Sequence, residues 1–218
     1  MLLKYIDLYL NLEQYPSELA TPFGFKTRYI CNFLERRIRP LKYDTDGFSK
    51  ICVQGNRVPE QSCPIVSETA AVPSVAFDEE RYRVLENDEI HEFLIAMLVE
   101  GLEKCARHHR IPLAQMQDAI EDFRSRGYTN EWVHRKKLLR GTGLRAYLLC
   151  SLDIEKFTLT LRLERNGRTV FEEPILQTKP DETIFAYRFK DVVLNENTVI
   201  VTGKFGDPTF TLDIGTLE

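Results

Sequence analysis

The stretch Asp88–Arg110, DEIHEFLIAMLVEGLEKCARHHR, constrains the fold of this chain more than any other. Ile90, Leu94, Met97, Leu98, Gly101, Leu102 and Cys105 recur at helical spacing and form one wide apolar stripe. Glu89, Glu92, Glu100, Glu103 and Arg107 fall mainly on the other side. Asn87 or Asp88 is placed to cap the first turn, and Lys104, Arg107, His108, His109 and Arg110 crowd the last. That polarity suits the helix dipole at both ends. Ile111-Pro112 then closes the element. A stripe this wide needs neighbours on several sides, so the spacing predicts a central helix packed against a sheet or other helices.

A second helix follows at once. Pro112 suits its first turn, Leu113, Met116, Ile120 and Phe123 line one face, and Gly127 is placed as its C-cap residue. Upstream, residues 2–12 fit a strand or a short helix, and periodicity does not choose between them. Pro16 and Pro22 mark a loop. Thr27 opens a helix to Arg39, stopped by Pro40. Asp46-Gly47 reads as a hairpin turn between strands at Leu41–Tyr43 and Phe48–Val53. Residues 55–73 form the longest loop, followed by strands near Val75–Phe77 and Tyr82–Leu85.

From Glu131 onward the period changes to two. Phe157, Leu159, Leu161 and Leu163 alternate strictly with polar residues, as in a strand with one wet face. Asn166-Gly167 is a hairpin signal. A three-residue bulged loop is preferred there, pairing Leu163 with Phe171 and Leu159 with Ile175. Phe185, Tyr187 and Phe189 alternate likewise. Val199, Val201, Phe210, Leu212 and Ile214 complete the run. The expectation is an α+β fold: a mixed N-terminal region, a central helix pair and a C-terminal antiparallel meander. It is read as a single domain over 1–218, with a possible subdivision into 1–127 and 128–218.

Composition narrows the partners. A formal charge of -4 and an isoelectric point near 5.7 argue against a nucleic-acid or anionic-membrane surface. No apolar run approaches the roughly 18 residues of a membrane span. The N-terminus lacks a basic start and a small-residue cleavage site, so no signal peptide is expected. Five scattered cysteines without a CxxC are expected to be free thiols in a reducing, cytoplasmic setting. Four of them, Cys31, Cys52, Cys105 and Cys150, sit beside apolar neighbours; Cys63 does not.

Motifs for chemistry are fragmentary. His91-Glu92 begins like HExxH, but Ile95 occupies the second histidine position. Cys105 with His108 or His109 has the i, i+3 and i+4 spacing of two ligands, without a visible third. Gly141-Thr142-Gly143 lacks the rest of a phosphate loop and reads as a turn. No cofactor and no metal site are therefore expected. Two basic clusters, Arg36, Arg37, Arg39 and Lys42, then Arg135, Lys136, Lys137 and Arg140, are expected to pair with this chain's own acids or with an acidic partner. The sole tryptophan, Trp132, reads as a packed corner residue or an interface anchor.

The function expected on this basis is non-catalytic binding of another protein. Its concrete form is an inhibitor of the immunity type that neutralises a cognate toxin, with an acidic face capturing a basic partner. The residues expected to bind are Glu89, Glu92, Glu100, Glu103, Trp132, Arg135 and Lys136. One alternative is a small hydrolase or metal-dependent enzyme using His108 and His109 with nearby carboxylates. Another is a structural subunit of a larger assembly.

Overall fold

A computed structural model describes residues 1–217, without the side chains of residues 87, 88 and 216. The chain is α+β and divides into two compact units, Met1–Asn130 and the residues from Glu131 onward.

The first unit contains β1 (Tyr5–Leu10), α1 (Ser17–Ile38), β2 (Lys50–Asn56), β3 (Ile65–Val66), β4 (Ala70–Ala71), β5 (Ser74–Ala76), α2 (Glu79–Val84), α3 (Asn87–His108) and α4 (Leu113–Ser125). β1 and β2 run parallel, with Ile6 beside Ile51 and Leu8 beside Val53, and α1 is the crossover between them. β4 and β5 both add to β2 in parallel, and β3 pairs β4 antiparallel. Ile6, Leu8 and Leu10 are buried on one face of β1, while Tyr5, Asp7 and Tyr9 lie on the other.

The central helix lies where the spacing predicts. Leu94, Leu98, Leu102 and Cys105 are fully buried, and α3 packs on β2 and β5 of this parallel sheet. Its N-cap position belongs to Glu86, whose amide donates to the Glu89 carboxylate at 3.3 Å. The expected caps Asn87 and Asp88 lie outside the described side chains. Gly101 allows the close approach of helix to sheet. A Cβ there would stand 2.4 and 2.6 Å from the two Val53 methyls. Gly101→Ala is expected to destabilise despite the roughly 1 kcal/mol helix-propensity gain, because overpacking costs about 1–3 kcal/mol. Adding Val53→Ala should recover part of the loss in a urea melt, and equal losses in the single and double variants would refute the contact.

Three N-terminal expectations are corrected. α1 begins at Ser17 rather than Thr27 and runs through Pro22, which stands near its start. The Asp46-Gly47 hairpin does not form. The Leu3 amide donates to the Tyr43 carbonyl at 2.9 Å and Leu2 bridges Asp44, so residues 43–44 pair with the N-terminus. The strand that follows is then free to join β1 in parallel. Residues 82–85 are not a strand: Asp78 accepts from the Arg81 amide at 2.9 Å and caps α2, and Arg83 pairs with Glu79 four residues back.

The second unit contains β6 (Glu131–Leu139), β7 (Leu144–Leu152), β8 (Phe157–Arg165), β9 (Arg168–Thr178), the single turn α5 (Glu182–Phe185), β10 (Asp191–Asn195), β11 (Thr198–Thr202) and β12 (Pro208–Asp213). The antiparallel meander is split into a four-stranded sheet, β6 to β9, and a three-stranded one, β10 to β12. Leu144, Ala146, Leu148, Cys150 and Leu152 of β7 and Phe157, Leu159, Leu161 and Leu163 of β8 form the buried face.

The β8–β9 hairpin turns in two residues, Asn166 and Gly167, both with positive φ (52° and 78°), not in the preferred bulged loop. A bulge one pair further along restores Leu163 beside Phe171, and a second bulge places Leu159 beside Leu176 instead of Ile175. Phe185, Tyr187 and Phe189 do not form a strand. Phe185 stacks on Phe157 at 3.7 Å between centroids, and Phe189 lies parallel to Phe157 at 5.4 Å. Phe185 reaches that ring from the end of α5, and Phe189 from the irregular chain between α5 and β10.

Candidate functional site

The seam between α3 and α4 opens to solvent as a groove of about 460 Å³. Ala96, Val99, Glu100 and Glu103 line it from α3, and Gln117, Ile120, Glu121 and Arg124 from α4. Both sets follow i, i+3, i+4, i+7, the spacing of one helical face. Ala96, Val99 and Ile120 make an apolar floor, and the carboxylates of Glu100, Glu103 and Glu121 stand on the rim.

Arg124 is already engaged. Its Nε and Nη2 donate to Glu92 at 2.9 and 2.7 Å, and its Nη1 donates to Glu121 at 2.5 Å. Tyr128 donates its hydroxyl to Glu92 at 3.0 Å. The Arg124 guanidinium, with help from that hydroxyl, holds the Glu92 carboxyl below the usual carboxylate range. Glu103 accepts a long bond from Gln117, 3.4 Å. Three carboxylates (Glu100, Glu103, Glu121) and one guanidinium line the groove, which therefore carries net negative charge over an apolar floor.

Of the seven residues expected to bind a partner, four lie in the first unit and three in the second. Glu100 and Glu103 line the groove; Glu92 braces α3 against α4; Glu89 closes the first turn of α3. Trp132, Arg135 and Lys136 belong to β6 in the second unit. Trp132 packs toward Phe157 at 6.1 Å and lines a cavity of about 440 Å³ with Val133, Leu149, Thr160, Arg162 and Glu172. Arg135 donates to Asp191 at 2.9 Å, as does Lys137 at 2.8 Å, and the Lys136 ammonium sits 5.3 Å from the Tyr147 ring centre. Both basic clusters thus engage partners within the chain. In the first, Arg37 reaches Asp122 and Arg39 reaches Glu35, each at 2.5 Å. Sequence reasoning missed Glu121 and Arg124 as groove residues, although Glu100/Glu103 and Glu121/Arg124 share the i, i+3 pattern on adjoining helices.

Each histidine has a partner within the chain. His91 Nδ1 meets the Tyr29 hydroxyl at 2.5 Å, and its ring stacks on Tyr128 at 4.4 Å. His108 Nε2 contacts the Gln61 carbonyl at 3.1 Å and His109 Nε2 the Cys63 carbonyl at 2.7 Å. His134 sets its ring edge-on to Phe189, and burial holds its pKa below the ordinary histidine value. Among the described residues, no group of three or more His, Cys, Asp or Glu could hold a metal ion. No helix among the described residues is long and apolar enough to cross a membrane. Gly141-Thr142-Gly143 is the turn between β6 and β7, with the Thr142 hydroxyl donating to the Leu139 carbonyl at 2.8 Å.

Comparison with protein-family models, with curated proteins and with solved structures finds no match.

Proposed function

We propose that this chain is a non-catalytic protein-binding module whose α3–α4 groove receives a basic segment of another protein. The observation that carries the reading is the pairing of an apolar floor (Ala96, Val99, Ile120) with an acidic rim (Glu100, Glu103, Glu121) in one groove. The floor offers a partner apolar contact, and the rim steers positive charge toward it and fixes its register. The concrete form is an inhibitor of the immunity type, acting in the cytoplasm, that neutralises a cognate toxin by occupying its basic surface.

The test uses the double variant Glu100→Arg/Glu103→Arg, which reverses the rim without touching the buried stripe. Its urea melt should match that of the unaltered chain. The product of a neighbouring reading frame, mixed with each form, should bind the unaltered chain and lose at least about tenfold in affinity to the variant. Binding should also weaken as salt rises. Equal affinity of the two forms would refute the groove as the binding face. A neighbouring product that stays toxic in cells expressing this chain would refute the immunity reading.

A further inference from the structure

The C-terminal end of α3 grips the segment 57–64 through its backbone. Lys104, 4% exposed, donates its ammonium to the Glu60 carbonyl at 2.9 Å and to the Ser74 carbonyl. His108 and His109 reach the carbonyls of Gln61 and Cys63 at 3.1 and 2.7 Å. Three side chains of one helix end thus fix carbonyls at and before Cys63. These bonds hold Cys63 against the end of α3, beside Cys105, which lies one residue after Lys104. Both are free and buried.

The surroundings make the two sulfurs unequal. The hydrogen bond from Cys105, with the nearby His109 and Lys104 charges, holds the Cys63 thiol below the ordinary thiol range against the opposing effect of burial. The same hydrogen bond and burial push Cys105 up. Cys63 is therefore the more readily ionised of the two thiols. Thiolate character is what makes a cysteine reactive.

We propose that Cys63 and Cys105 are a redox-active dithiol that hydrogen peroxide converts to a disulfide, tying the segment 57–64 to α3. The Cys63 thiolate attacks one peroxide oxygen; an S–O bond forms, the O–O bond breaks, and hydroxide leaves. The Cys105 sulfur then attacks the Cys63 sulfenic sulfur. The S–S bond forms, the S–O bond breaks, and the departing hydroxide leaves as water with the Cys105 proton. The thiolate and the thiol together lose two electrons, and one peroxide becomes one water and one hydroxide, which takes up the proton that Cys63 gave to solvent on ionising. Cys63 is only 5% exposed, so the oxidant is a small hydroperoxide rather than a bulky disulfide such as oxidised glutathione. The site lies apart from the α3–α4 groove, and the inference stands whether or not that groove binds a partner.

The experiment treats the folded, full chain with hydrogen peroxide, quenches with an alkylating agent under denaturing conditions, and maps the peptides. Five free thiols should become three, the five less one bridged pair, with a Cys63–Cys105 linked peptide that a dithiol reductant reverses. Oxidised glutathione at the same concentration should leave five. In Cys105→Ser the reaction should stop at a Cys63 sulfenic acid, trapped by dimedone. Cys52→Ser should form the bridge as the unaltered chain does. Five thiols surviving peroxide, or a bridge through Cys31, Cys52 or Cys150, overturns the proposal on the unaltered chain alone.

Discussion

Replacing Glu35 with alanine is expected to cost about 3–5 kcal/mol, the scale of breaking a buried ion pair from one side. Glu35 is 3% exposed at its side chain, on a helix that lies along an open strand edge. β1 ends the order of its sheet, so its outward amides and carbonyls have no neighbouring strand. Side chains of α1 take that place. Glu35 Oε1 accepts from the Ile6 amide at 3.1 Å, Arg28 donates to the Ile6 carbonyl at 3.1 Å, the Thr27 hydroxyl donates to Leu8 at 2.8 Å, and Arg39 Nε donates to Lys4 at 2.9 Å. The same carboxylate holds both guanidiniums, Arg28 at 3.3 Å and Arg39 at 2.5 Å. Its loss would strand a buried amide and take one of the two carboxylates from Arg28, which keeps Asp7 at 2.5 Å; Arg39, at 44%, would be rescued by water.

Glu35→Gln keeps an acceptor for Ile6 and should cost less, about 1–3 kcal/mol. Urea midpoints at equal slope measure both variants. Light scattering should also show concentration-dependent association of Glu35→Ala, because its strand edge is no longer sealed. A Glu35→Ala chain that loses under about 1 kcal/mol and stays monodisperse would mean that water satisfies this edge as well as the helix does.

Glu35 also marks where sequence reasoning stops. The basic cluster after it was expected to pair with acids, but which acid lies inward depends on the tertiary position of β1, which nothing local shows. The elements that were legible follow from a local period. α3 and α4 keep a helical stripe, and β8 alternates without a break, so burial alone specifies them. The misread elements each have a local pattern overruled by a longer-range contact. Phe185, Tyr187 and Phe189 alternate, yet the core ring Phe157 captures Phe185 from the end of α5 and Phe189 from the irregular chain after it. Asp46-Gly47 has hairpin chemistry, yet its upstream arm bonds to Leu3. The acidic side of α3 was visible as a set of glutamates. Which of them face a groove depends on α4, whose Arg124 consumes Glu92 and leaves Glu100 and Glu103 on the rim. Cys63 stood out only as the cysteine without apolar neighbours, and nothing local placed it against Cys105.

Truncating Leu98 to alanine is expected to cost about 2–5 kcal/mol, the usual range for a buried leucine whose cavity collapses only in part. Leu98 is fully buried, midway between Leu94 and Leu102 on the stripe that α3 lays against β2 and β5. Gly101 brings helix and sheet too close for slack around the cavity, since the Val53 methyls already fill the space a Cβ would take. A domain is stable by only about 5–15 kcal/mol, so the loss should move the denaturant midpoint plainly. The signal must come from the right unit. The long helices α1, α3 and α4 all belong to the first, whereas Trp132, the sole tryptophan, belongs to the second. Helical circular dichroism therefore reports the unit that carries Leu98, and tryptophan fluorescence reports the other. The chain divides into two units, so the two signals need not share one transition, and each must be fitted separately. The helical midpoint of Leu98→Ala should fall at unchanged slope. A helical signal melting as in the unaltered chain would place α3 at the periphery, and the parallel sheet would need another element to cover Val53 and Gly55.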